Sequence, residues 1–127
     1  MPISRRNLEA LVLTSGHPTA ARTSTGTSSA IDLVDYDGDV VVILDSGAGG
    51  GTSPTLDVTI TTSDASGGTY AAITGAAFTQ VVGTASQQKL AISKDDAKRY
   101  VKVAYAIGGT SPSFTFSANV IGAKKYT

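Results

Sequence analysis

Asp35, Asp37 and Asp39 stand at every second position in the run DYDGD, the spacing with which a calcium loop presents its first carboxylates. The likeness stops there, because the glycine comes too early and Ser46 occupies the place of the bidentate glutamate. An Asx-rich hairpin turn accounts for the same residues. The glycine run Gly47–Gly51 lacks the Lys-Ser/Thr ending of a phosphate loop and does not lead into a helix, so no nucleotide cradle is expected. His17, the single histidine, sits beside Pro18 in a polar stretch without a second ligand nearby and reads as a solvated side chain. Cysteine is absent, which excludes disulfides, thiolate metal sites and cysteine nucleophiles. One Glu, Glu9, cannot supply the paired glutamates of a glycosidase. The aspartates fall at strand and turn positions typical of exposed polar residues, and no set of nucleophile, base and oxyanion donor can be nominated. The expectation is a protein that is not an enzyme and takes no cofactor or metal.

The elements that carry these residues read as strands. The chain has 127 residues, one domain's worth, with 41% apolar residues and 14 Gly. Ser and Thr make up roughly a quarter of it, far above the level of helix-rich proteins. Val, Ile and Thr are common and strong helix formers scarce, which points to an all-β domain with tight turns. Ala30–Val34 predicts a short strand, and the continuous run Val40–Leu44 a central strand covered on both faces. SGAGGGTSP reads as a long flexible connection. Leu56, Val58 and Ile60 then alternate with polar residues, as in a half-buried strand. Tyr70–Ile73, Ala77–Val82 and Lys89–Ile92 are shorter candidates. Val101, Val103, Tyr105 and Ile107 share one face of the next strand, and Phe114, Phe116, Ala118 and Val120 one face of the last. About eight strands with regular turn signals predict a two-sheet antiparallel β-sandwich, of jelly-roll or immunoglobulin-like topology.

Residues 1–29 differ in character. MPISRRNLEALVL has the pattern of two helical turns, with Ser4 as N-cap and Ile3, Leu8, Leu11 and Val12 on one side. The polar stretch TSGHPTAARTSTGTSS follows and has too little apolar area to offset its ordering entropy alone. The expected organisation is an N-terminal extended arm over 1–29, disordered in isolation or ordered against a partner, and a sandwich domain over 30–127. Its cations Arg5, Arg6 and Arg22 and its apolar Leu8 and Leu11 are candidate partner contacts. Tyr36, Lys124, Lys125 and Tyr126 join them, the tyrosines because they lie outside the core pattern and offer rigid area with a polar tip. Tyr100, at the start of a strand, reads as a structural corner tyrosine.

The pentapeptide GGTSP occurs twice, at Gly50–Pro54 and at Gly108–Pro112. Each copy follows an apolar strand and precedes an alternating one, so both read as turns of two matching hairpins, with proline where a missing N–H costs least. Ten basic residues balance ten acidic ones, which argues against nucleic acid or an anionic membrane as partner. The acids cluster between Asp32 and Asp64 and the bases after Lys89, the pattern of a dipolar surface that would fix register against a neighbour. No apolar run reaches the roughly 18 residues of a membrane span, and no apolar signal core of adequate length stands at the start, so export by a standard signal is not expected.

The stretches IDLVDYDGDVVVILDSGAGGGTSPTLDVTI, TYAAITGAAFTQV and KRYVKVAYAIGGTSPSFTFSANVIG resemble small virion proteins of tailed bacteriophages, over most of residues 31–122. The paired GTSP turns and the RYVKV strand are the most specific features of the likeness. It implies a capsid decoration (cement) protein with a β-sandwich fold. Such a protein is made in the host cytoplasm and sits on the outer capsid surface against the major capsid protein, often as a homotrimer at local three-fold axes. Other virion parts (tail tube, tail terminator, head completion) and a carbohydrate-binding or adhesion sandwich are the alternatives.

Overall fold

The computed structural model describes the backbone of residues 11–34, 36–93 and 95–124, and the side chains of 20–34, 36, 38–93 and 95–122. The described chain is all-β: β1 (Leu11–Arg22), β2 (Gly26–Thr27), β3 (Ile31–Asp32), β4 (Tyr36–Ser46), β5 (Gly50–Ser63), β6 (Ala71–Ala77), β7 (Ser86–Ile92) and β8 (Tyr100–Lys124). One eight-stranded antiparallel sheet runs β6-β5-β8-β4-β7 and curls nearly into a barrel. Its spine is β8, 25 residues long. The first half of β8 pairs with β5, from Ser63↔Tyr100 to Gly50↔Ser113, and the second half with β4, from Ser46↔Phe116 to Tyr36↔Lys124. Residues 36–63 and 100–124 are thus one long ribbon that folds over on itself.

Alternation along the ribbon builds the core. Val42 and Leu44 of β4, Leu56, Val58 and Ile60 of β5, Val101 and Val103 of early β8, and Phe114, Phe116, Ala118 and Val120 of late β8 are all buried. The two halves of the ribbon meet where the Tyr105 ring packs edge-on against Phe116, centroids 5.2 Å apart at 72°. Val41 and Ile43 are only half-buried, so β4 has one covered face rather than two.

The twin GGTSP segments are not hairpin turns. They lie opposite one another in the ladder, at the fold of the ribbon: Thr52 pairs with Thr110 and Thr55 with Gly108. Both copies adopt the same backbone, with φ 93 at Gly51 and 114 at Gly109, then φ 50 at Ser53 and 48 at Ser111. The register slips on either side of Thr52, and these left-handed residues give both strands the bend that a regular ladder cannot take. SGAGGGTSP is correspondingly a short connection, Gly47–Gly49, followed at once by β5.

The stretch assigned to an arm is, from Leu11 to Arg22, a strand of the sheet, paired with β8 from Ala123 to Phe114. Leu11, Val12 and Leu13 are therefore extended, and the helical pattern does not continue through them. Residues 23–30 line the other half of β8. Ser28 donates its N–H to the Val103 carbonyl (2.8 Å), the Val103 N–H donates to Ser28 Oγ (2.9 Å), and the Ile107 N–H donates to Thr25 Oγ1 (3.0 Å). Small hydroxyl residues substitute for strand backbone here, so order comes from hydrogen bonds to β8 and needs little apolar burial.

Other local readings also change. DYDGD is an irregularity inside β4 rather than a hairpin turn: the register shifts between Asp37 and Val41, with φ 79 at Gly38. Of the stretch Ala77–Val82, Ala77 ends β6 and the residues after it contribute a single bridge, Leu56↔Val81. The acidic and basic stretches come together, since Arg99 meets Asp32 at 2.9 Å and Lys98 meets Asp64 at 3.6 Å. These pairs work against a dipolar surface.

Candidate functional site

Tyr36 opens β4 and, contrary to its reading as a surface contact, is buried, at 7% exposure. Tyr36 and Val40 both point inward, and Gly122 of β8 makes the room for them. A Cβ at Gly122 would lie 2.6 Å from the Tyr36 ring and 2.9 Å from Val40. Ring and valine form one wall of a cleft of about 290 Å³ at this end of the sheet, where Ile92 closes β7. Leu33, Val34 and Ala97 line the cleft as well.

The segment carrying Leu33 and Val34 is pinned. The Leu33 N–H donates to the Arg99 carbonyl (2.7 Å) and the Val34 N–H to Asp32 Oδ1 (3.0 Å). On the partner segment, the Lys98 N–H donates to Thr62 Oγ1 (2.7 Å), whose hydroxyl donates to the Tyr100 carbonyl (2.9 Å). Val34 remains 45% exposed at the mouth, a large apolar side chain left facing solvent.

Among the described residues, the charged ones lining the cleft are Lys98 and Arg99, both cations. Arg99 grips Asp32 with Nε (3.1 Å) and Nη2 (2.9 Å) and stacks over the Tyr100 ring at 5.0 Å. The Arg99 hydrogen bonds hold the Asp32 carboxyl below its usual value, the small burial of the group opposing them. Tyr100 thus carries a cation on its ring. On β8's outer side Lys102 stands 4.5 Å over the Tyr70 ring.

Of the residues nominated from sequence, the structure brings three to this end. Leu11 opposes Ala123 at the start of β1, while Tyr36 opposes Lys124, so the start of β1, the end of β8 and the start of β4 are neighbouring strands. Arg22 lies at the far end of β1, exposed, opposite Phe114. Arg5, Arg6, Leu8, Lys125 and Tyr126 lie outside the described residues, as do the side chains of Leu11 and Lys124. Val34, Lys98 and Arg99 were missed. The available signal was Val34 itself, apolar between acidic residues just past a strand. Among the described residues no three His, Cys, Asp or Glu gather as a metal site, and the side chains of Asp35 and Asp37 lie outside them.

These features define an antiparallel β domain with an apolar, cation-rimmed cleft at one end. The fold is similar to part of the PBSX exported protein XepA, with TM-score 0.63 and 19% identity, over 99% of this chain and 41% of that one. It is also similar to part of VP2 from the infectious bursal disease virus subviral particle, with TM-score 0.55 and 13% identity, over 87% of this chain and 31% of that one. A Clostridium thermocellum xylanase 10B structure containing CBM22-1 and GH10 modules, complexed with xylohexaose, matches with TM-score 0.50 and 13% identity, over 92% of this chain and 25% of that one. The chain spans less than half the length of each, and identities this low speak for the fold alone. No family model matches the chain, and no curated protein matches it.

Proposed function

We propose that this chain is a structural component of a phage virion: a capsid decoration protein that binds the major capsid protein on the outer head lattice and stabilises contacts between its subunits. The observation that carries this reading is that the start of β1 at Leu11, the end of β8 at Lys124 and the start of β4 at Tyr36 lie on neighbouring strands at one end of the sheet. The flanking segments with Arg5, Arg6, Leu8, Lys125 and Tyr126 therefore join the sheet at one end, which we take as the end that meets the shell. The sequence resemblance to phage virion proteins agrees with it, and so does a fold like those of parts of the PBSX exported protein and a virus capsid protein.

In this reading the two halves of the ribbon are the layers of a sandwich, and three copies sit at local three-fold axes. The protein acts by binding and not by turnover. A ligand that binds only the assembled lattice stabilises it by about RT ln(1+[L]/Kd) per site. Clustering several copies turns modest single contacts into slow release. The test is sedimentation of purified protein with expanded heads. Co-sedimentation with raised heat resistance of the heads supports the proposal, and no binding refutes it.

The xylanase likeness favours a second reading, a carbohydrate-binding module. Such modules present open aromatic platforms, whereas the half-buried Tyr70 and Tyr100 each lie under a cation. Specific retention on a glycan array would favour this alternative.

A further inference from the structure

We propose that the cleft at the open end of the sheet is an anchor site for an extended segment of the partner protein, one that presents a bulky aliphatic side chain with an Asp or Glu beside it. The inference deepens the virion reading and rests on it for the partner's identity.

The apolar walls fix the first half of that chemistry. Leu33, Val34, Val40 and Ile92 line a space of about 290 Å³, enough for one branched side chain with its flanking backbone. Water in such a space meets few polar partners, so displacing it with an aliphatic group is favourable at about 25 cal/mol per Å² covered. The exposed Val34 is the residue such an anchor would cover.

The rim fixes the second half. Among the described residues its charged lining is Lys98 and Arg99, both cationic. The contact of Lys98 with Asp64 is long, at 3.6 Å, with both side chains largely in water, and pairs of that kind contribute little. An incoming carboxylate would replace that contact in drier surroundings, where the same attraction is stronger. The Asp32–Arg99 grip and the two backbone bonds on Leu33 and Val34 hold the mouth open in advance, so little ordering entropy is lost on binding.

The test uses the full chain and anilinonaphthalenesulfonate, a fluorescent probe that joins apolar rings to an anion. Saturable one-site binding is expected, with displacement by the peptide acetyl-Gly-Asp-Leu-Asp-Gly-amide and not by its Lys-Leu-Lys counterpart. Val34→Asp should weaken dye binding at least about tenfold, because a charge replaces an apolar contact. Lys98→Glu, a solvent-exposed change, should weaken it with the melting temperature kept and serves as the check on a Val34→Asp protein that fails to fold. Absence of saturable binding, equal displacement by both peptides, or indifference to both substitutions overturns the anchor site. Sedimentation with heads separates the two levels. If wild type and Val34→Asp sediment alike, the anchor falls and the virion reading stands; if wild type does not sediment, the virion reading falls and the dye and peptide results decide the cleft.

Discussion

Gly109 lies against Ser53 across the ladder, as Gly51 lies against Ser111. A Cβ on Gly109 would lie 2.7 Å from the Ser53 carbonyl oxygen, and a Cβ on Gly51 would collide with the carbonyl oxygen of Ser111. Each glycine therefore admits the other copy of GGTSP at the fold of the ribbon, where both strands bend. Gly51→Ala or Gly109→Ala should cost on the order of 2–3 kcal/mol, from left-handed strain plus the collision. Gly75→Ala, also at positive φ but with open space around it, should cost about 1 kcal/mol. Urea unfolding of the three variants checks the order.

The Ser28 hydroxyl accepts the Val103 N–H in the middle of β8. Ser28→Ala removes the acceptor and leaves that amide facing a methyl group, which should cost about 1–3 kcal/mol. Amide exchange should accelerate at Val103 and at Ile107, four residues further along β8, whose N–H is held by Thr25. A uniform acceleration across the whole sheet would instead mean that Ser28 acts only on global stability.

The Asp32–Arg99 pair gives a pH signature. The folded-state pKa of Asp32 is depressed below its ordinary 3.8, so the pair's contribution is complete above that value and fades as pH falls through the lower folded-state pKa. Both side chains are substantially exposed, which limits the effect at neutral pH to less than about 1 kcal/mol. Asp32→Asn should show this small loss at pH 7 and converge on wild type below pH 3.8, as measured by thermal melts across the acid range.

Period-two alternation made the core legible: Leu56, Val58, Ile60, Val101, Val103, Phe114, Phe116 and Val120 are buried as their spacing predicts. The GGTSP repeat was also visible, but not that its copies pair with each other, because partners more than fifty residues apart leave no local signal. Tyr36 was misplaced for a similar reason, since its burial depends on the space left by Gly122 of β8, 86 positions away in sequence. The polar run after Arg22 looked unable to fold because hydrophobicity measures burial and says nothing of hydroxyls bonding to β8. The cleft joins Val34 to Lys98 through tertiary packing, and no spacing along the chain marks it.

Deleting residues 1–10 and deleting residues 1–29 should give different outcomes. The shorter deletion keeps β1 and should leave the melting temperature within a few degrees, while weakening attachment if Arg5, Arg6 and Leu8 touch the shell. The longer one strips β1, β2 and the Ser28 and Thr25 contacts from β8, exposing a long unpaired edge. Aggregation or a large loss of stability is expected there, and size-exclusion chromatography with thermal melts distinguishes the two cases.

The most direct test of the virion reading is the copy number of this chain in purified particles, measured by quantitative mass spectrometry against the major capsid protein. A decoration role predicts a fixed ratio comparable to that of the capsid lattice, with the chain lost from heads when Val34 and Lys98 are both substituted. A ratio of only one ring per particle, or absence of the chain from particles, would contradict it.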